Sequence, residues 1–221
     1  MIGSSYDKGL SRQQSLSATI IFMLSPVLKK AKTTNRGLGI FAKNNLTKGT
    51  ITCFECDKCK RFSSPSELPS MSKKLRNHIL KYSYERSDGV LLFPCDDVIY
   101  INHSCNSNTL GTPFGFDIAV RDIKSGEEIT YDYRMFFENK WRGDNYYTEF
   151  TCRCGEPNCD RIIQFITPRH PAPRKLAQEW RSKITSSLRL IRLVDQPLWG
   201  DLLRVKNKYI LKLNTKKGKA I

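Results

Sequence analysis

Three thiols, Cys152, Cys154 and Cys159, stand in a C-x-C-x4-C run with Gly155 and Pro157 between them to turn the backbone. Sulfurs gathered on so short a segment are zinc ligands by type. A structural zinc takes four ligands in a tetrahedron, so one more must come from elsewhere in the chain. Cys105 is the natural candidate. It lies in the polar run Asn102-His103-Ser104-Cys105-Asn106-Ser107-Asn108, directly after the apolar run Val98 to Ile101, the placement of a functional loop. A second group, Cys53, Cys56 and Cys59 in C-x2-C-x2-C spacing with Cys95, offers either a second zinc site or a loop of thiols. The tight clustering favours metal ligation in a reducing compartment over a disulfide framework.

Other segments carry groups that could act on a substrate. Gly126 to Tyr133 reads as a turn feeding a β-strand with Tyr131 and Tyr133 on one face. By residue type alone these are half-buried aromatics with wet hydroxyls. His103, taken alone, is a hydrogen-bonded loop histidine. Arg36 to Ala42 holds a G-x-G at Gly37-Leu38-Gly39, but no strand–loop–helix unit follows, as a Rossmann dinucleotide site would require.

In chain order these four elements resemble the SET-domain protein lysine methyltransferases with a post-SET zinc motif. That family's signatures are a G-x-G strand, an N-H-S-C-x-P-N loop, G-E-E-L-T-[FY]-D-Y and C-x-C-x4-C, and the likeness runs from about Arg36 to Ile163. It implies an S-adenosylmethionine site lined by Arg36, Gly37, Leu38, Gly39, Asn102, His103 and Tyr133, with the apolar Ile163 closing over it. It also implies that Cys105 completes a zinc site with Cys152, Cys154 and Cys159, and that Tyr133 is the catalytic tyrosine. Tyr131 matches the position whose Phe or Tyr identity influences how many methyls are added, and a tyrosine there implies mono- or dimethylation. Two positions depart from the pattern. Ser107 replaces the proline of the loop, and Asp160-Arg161 replaces the usual Arg-Gly after the last zinc cysteine. The chemistry suits these residue types. Methyl transfer to an amine is an in-line displacement that needs alignment more than a covalent nucleophile. A lysine with a free pKa of about 10.4 must arrive neutral, which desolvation in a narrow apolar channel favours.

The elements that must position these residues are mainly β. Short β-prone runs at Gly39–Ala42, Thr50–Phe54, Val90–Phe93, Val98–Ile101 and Ile118–Val120 are broken by turns at Lys48-Gly49 and Ser125-Gly126. Ser64-Pro65-Ser66-Glu67 suits a helix start, and Met71 to Tyr82 is compatible with helix. The fold implied by the resemblance is the SET-domain fold of small curved sheets with a threaded-loop, pseudoknot-like active site and short helices. The expected organisation is an N-terminal extension over 1–30, poorly ordered, a SET domain over 31–149, and a post-SET zinc motif over 150–167. A basic extension follows over 168–221. It opens on the stiff Pro168–Pro173 stretch. Leu176, Trp180, Ile184, Leu188 and Ile191 then recur at helical spacing, predicting an amphipathic helix over about 174–194 that packs on its own domain.

Charge separates these regions. The chain of 221 residues carries a net +16. From Arg169 to Ile221 there are 14 basic and 3 acidic residues, so most of the excess is C-terminal. Such a segment is either a solvated tail or a nucleic-acid contact, here over residues 174–219. No run reaches the roughly 18 to 20 apolar residues that span a bilayer, and no internal repeat is present. Ala18 to Leu24 is apolar, but no small-residue cleavage site follows it, so an arm is expected there, with organellar targeting as the alternative. The resemblance implies an intracellular enzyme, nuclear or cytoplasmic, that uses S-adenosylmethionine and zinc and takes a protein substrate presenting a lysine, a histone or another. The alternative is a catalytically weak or inactive zinc-stabilised module that binds nucleic acid or chromatin through its basic C-terminus. A partner-binding groove built from loops leaves no readable code for the acceptor.

Overall fold

Four consecutive buried side chains, Ile51 to Phe54, mark a strand covered on both faces rather than one with a wet side. This is β3 (Ile51–Phe54) in the computed structural model, which describes residues 23–55, 58–68, 70–86, 88–136, 149–165 and 171–197. It ends a seven-stranded mixed sheet with β1 (Leu28–Lys32), β2 (Leu38–Ala42), β10 (Glu128–Tyr131), β8 (Thr109–Gly111) and β9 (Phe116–Ala119). These stand in the order β1-β2-β10-β8-β9-β3, with β7 (Asn102–His103) added to β10. A second sheet joins β4 (Lys60–Phe62), β6 (Leu91–Phe93) and β5 (Tyr84–Glu85), and β11 (Glu149–Thr151) pairs with β12 (Ile162–Gln164) in a separate hairpin. The architecture is mainly β with two helices, α1 (Lys73–Tyr82) and α2 (Arg174–Leu188).

The position of β10 sets up everything that follows. It runs antiparallel to β2 through Glu128 and Ile129, then parallel to β7, with Tyr131 opposite His103. Tyr131 also pairs with Thr109 of β8. One residue can bridge two strands only across its two edges, so β7 and β8 flank β10 on opposite sides. They are joined by residues 104–108 alone, and the chain leaving β10 passes beneath that short connection. This is the threaded loop. Buried side chains lock it: Asn108 Nδ2 donates to the Glu128 carbonyl at 2.8 Å, and its Oδ1 accepts the Thr130 N–H at 2.8 Å. Thr109 Oγ1 donates to the Thr130 carbonyl at 2.8 Å.

Two apolar clusters sandwich the large sheet. One gathers Ile51, Phe54, Leu110, Phe116 and Ile118, and the other Ile40, Ala42, Ala119, Ile123 and Ile129. The helical stripe read from sequence joins the first cluster: Trp180 and Ile191 are buried in it, and Leu176, Ile184 and Leu188 pack against it. The helix ends at Leu188 and continues as turns, shorter than the expected 174–194. The glycines of the two expected turns, Gly49 and Gly126, adopt positive φ.

Three expectations need correction. Residues 23–30 are not an extension: Met23 is buried, its N–H and that of Leu24 donate to Asp96 Oδ2 at 2.7 and 2.9 Å, and β1 begins at Leu28. Residues 1–22 lie outside the described residues. The run Val98–Ile101 is not a strand. Asp96 caps a 3-10 turn over Asp97–Tyr100, its carboxylate accepting the Val98 N–H at 3.1 Å, and this local bond overrides β propensity. The start expected at Ser64 yields only a 3-10 turn over Pro65–Glu67, and the longer helix α1 takes Ser72 as its own cap.

Candidate active site and cysteine cluster

Glu128, the first residue of β10, gathers the segments beside it. One carboxylate oxygen accepts from Arg36 Nη2 at 2.5 Å and the other from Asn102 Nδ2 at 2.8 Å. Asn102 Nδ2 also donates to the Leu38 carbonyl at 3.0 Å, and Arg36 Nη1 donates to the His103 carbonyl at 3.0 Å. A Cβ on Gly39 would come within 2.6 Å of Glu128 Oε1, so the protein's own side chains demand that glycine. Nothing lies within 4 Å of the equivalent point at Gly37, which leaves this edge open to a ligand.

His103 is buried, and its Nδ1 accepts the Tyr133 N–H at 3.1 Å. The ring proton therefore sits on Nε2, 3.4 Å from Cys105 Sγ. Burial lowers the pKa of His103 against the pull of Asp132, which keeps the imidazole neutral. Tyr133 is not on the strand with Tyr131, as its sequence position suggested. Asp132 ends β10 by capping a 3-10 turn over Tyr133–Met135. The Tyr133 hydroxyl donates to the Ile101 carbonyl at 2.6 Å. Burial pushes the phenol up to about 12, so it is protonated at neutral pH. Asp132 itself is a buried hub: it accepts from Arg134 Nε at 2.8 Å and Nη2 at 2.6 Å, and from Trp180 Nε1 at 3.0 Å. Helix α2 is thus anchored directly under the residue between the two tyrosines.

Both tyrosines line a cavity of about 670 Å³. Phe136 stands in its wall, stacked on Tyr131 with ring centroids 4.9 Å apart and on Tyr84 at 5.6 Å. The Tyr131 hydroxyl sits against the Gly111 backbone, and a Cβ on Gly111 would approach that oxygen to 2.4 Å, so only glycine admits the tyrosine here. Asp117 of β9 also faces the cavity, and burial pushes its carboxyl up to about 7. Across the cavity, Glu55 is paired with Arg86 at 2.6 Å and Arg61 at 2.8 Å.

Cys105, Cys152, Cys154 and Cys159 converge, their four sulfurs all within 4.8 Å of one another. Sulfurs bound at 2.3 Å to a tetrahedral zinc lie about 3.8 Å apart, so the set fits that ion in number, type and spacing. Burial pushes Cys152 up to about 11; at Cys154 backbone N–H groups of Cys105 and Glu156 outweigh burial and bring the thiol down to about 7. Arg134 ties the cluster to the tyrosines, donating to the Cys105 carbonyl at 3.0 Å while pairing with Asp132 and Asp160. Arg161, where the family pattern has glycine, takes a φ of 64°, in the left-handed region that glycine favours. Ile163 is fully buried on β12 opposite Phe150, whose ring meets Tyr133 and His103 edge-on at 5.9 and 5.6 Å. Among the described residues Cys53, Cys59 and Cys95 do not form such a cluster: the first two are buried in the core and the third is exposed, while Cys56 lies outside those residues.

Arg36, Leu38, Asn102 and His103 are therefore joined by hydrogen bonds, His103 touches both Tyr133 and Cys105, and the four cysteines meet. Gly111, Asp117, Glu128, Phe136 and the Asp132–Trp180 bond were not singled out as site features from sequence. Residues 37–134 match the model of the SET domain. Over 145 residues it is 28% identical to the variant-silencing SET domain-containing protein of Plasmodium falciparum, covering 60% of this chain and 5% of that protein. Over 148 residues it is 29% identical to human histone-lysine N-methyltransferase 2D, covering 58% of this chain and 2% of that one. The chain thus spans a small fraction of the length of these curated relatives. The crystal structure of the methyltransferase domain of human histone-lysine N-methyltransferase SETMAR superposes with a TM-score of 0.43 and 18% identity, over 62% of this chain and 58% of that chain. No helix among the described residues is long and apolar enough to cross a membrane.

Proposed function

We propose that this protein is an S-adenosylmethionine-dependent protein-lysine N-methyltransferase that adds one or two methyls to a histone or another protein. The observation that carries the reading is the threading of β10. It sets Tyr131 and Tyr133 into the wall of one cavity while binding the backbone of Tyr133 to His103, the neighbour of the open edge at Gly37. Arg36, Gly37, Leu38, Gly39, Asn102, His103, Tyr133 and Ile163 would hold the cofactor, which supplies a methyl group on a positively charged sulfur. Cys105, Cys152, Cys154 and Cys159 would hold a structural zinc, which keeps the hairpin β11–β12 closed against Tyr133.

The chain's own groups account for the rest of the chemistry. The Tyr133 phenol is protonated at neutral pH, so it orients the acceptor nitrogen as a dipole and does not take its proton. The aromatic wall of Tyr84, Phe136 and Tyr131 keeps water from the reacting nitrogen. The Tyr131 hydroxyl, seated against Gly111, narrows the space around that nitrogen. Tyr133→Phe is expected to abolish methylation of core histones or lysate proteins by the purified chain, read by radiolabel transfer or mass spectrometry. Retained turnover would refute the assigned role. Tyr131→Phe is expected to shift the product toward more methyls, and an unchanged product ladder would remove the specificity assignment.

A nucleic-acid contact is favoured by one further observation. With its apolar stripe on the core, α2 and the turn after it present Arg174, Lys175, Arg181, Arg189 and Arg192, all exposed. The rest of the proposed contact, up to residue 219, lies outside the described residues. Arg181→Glu with Arg189→Glu is expected to weaken salt-sensitive DNA binding without changing turnover on a short peptide. On this reading the enzyme works in the nucleus or cytoplasm.

A further inference from the structure

Asp117 is a partly buried acid that the reaction as derived does not use. It lines the cavity, its partner is the Cys53 thiol, and it has no ion pair among the described residues. Glu55, which with Glu85 also lines the cavity, is neutralised by two arginines. An uncompensated carboxylate in a water-poor site is costly, and such sites are kept where a ligand supplies the missing charge. The geometry sets it beside Tyr131. Asp117 Oδ1 lies 3.4 Å, and the Tyr131 hydroxyl 2.4 Å, from the point where a Cβ on Gly111 would stand. Carboxylate and phenol therefore lie close together on the same side of Gly111, in the wall of one cavity. Three aromatic rings, Tyr84, Phe136 and Tyr131, stand in stacked sequence on the same wall, a surface that itself attracts alkylammonium ions.

We propose that Asp117 is the cation-recognising residue of this cavity, pairing with the ammonium head of an entering lysine, or of its methylated forms, beside Tyr131. Asp117 acts electrostatically on Tyr131 and Tyr84, while Tyr133 responds to Arg36, Glu128 and Tyr82. It therefore serves admission of the acceptor, and transfer belongs to Tyr133. The carboxylate excludes uncharged side chains of the same length.

The role is assigned on the reading of this cavity as an amine-acceptor site, but its test requires no turnover. The full chain is titrated by NMR with n-butylammonium and with uncharged n-pentanol as probes of matched length. The wild type is expected to bind the ammonium ion roughly ten-fold or more tightly than the alcohol, with shifts at the Gly111 amide. Asp117→Asn should remove that preference while keeping alcohol binding within about two-fold, and Asp117→Glu should retain it. A wild type without preference, an Asp117→Asn variant that keeps it, or one that loses both probes equally would overturn the assignment. Histone methylation by the same proteins is scored separately: a chain that prefers ammonium yet never transfers a methyl refutes the enzyme and leaves Asp117 in place.

Discussion

Around β10 the chain is held by what it buries: Ile40, Ala42 and Ile129 are wholly enclosed on one side of the sheet, and Ile51, Ile118, Phe116 and Leu110 on the other. Residues 149–165 bury only Cys152 and Ile163 and leave Ile162 54% exposed. The first region folds by desolvation. The second has four converging sulfurs and the guanidinium of Arg134 in place of a core. Yet both face the same tyrosine. The contrast teaches that half of this site rests on packing and the other half on four thiols and one arginine.

Metal removal breaks the comparison hardest. Structural zinc sites are worth about 10 kcal/mol or more, so chelation is expected to open 149–165 to trypsin at Arg153 and Arg161 while β1–β10 remain protected, with one zinc released per chain. Unchanged cleavage would show that the hairpin stands without the ion. In the core, Phe116→Ala should cost about 3 to 5 kcal/mol by urea unfolding, whereas Ile162→Ala in the hairpin should change stability by less than about 0.5 kcal/mol.

A third test concerns the acid that the core tolerates. The Asp117 carboxyl is held up to about 7, well above its ordinary value of 3.8. The folded state therefore binds the extra proton between those limits, and stability falls as pH rises through them. Asp117→Asn removes this penalty, so its Tm should exceed that of the wild type at pH 8 by several degrees, with the difference vanishing near pH 4. Equal gains at both pH values would mean that charge is not the cause. The smallest effect belongs to Arg161→Gly. Relief of the left-handed backbone outweighs the added chain entropy by about 1 kcal/mol or less, read as a small rise in the temperature at which the hairpin becomes cleavable.

Much of this was legible in the sequence, and the reasons are local. Cysteine spacing reports ligand geometry directly, so Cys152, Cys154 and Cys159 could be grouped at once, and the loop chemistry around Cys105 supplied the fourth. The stripe from Leu176 to Ile191 has helical period, and its burial followed. Other features depend on contacts made across the threaded loop. Gly111 and Asp117 acquire meaning only once β8 and β9 lie beside Tyr131, and the bond from Trp180 to Asp132 joins residues 48 apart in the chain. The errors came from side chains that override propensity. Asp96 both turned Val98–Ile101 out of strand and fastened Met23 to the core, and Asp132 ended β10 before Tyr133.

The strap of residues 104–108 over the end of β10 has a consequence for biosynthesis. Its two flanks close on a strand that begins about twenty residues later, so the cavity does not exist on a nascent chain until that strand has emerged and slid home. The sulfurs that seal it, and the indole that props it from below, come later still. The site is therefore completed last in assembly, and a half-made copy lacks it by construction.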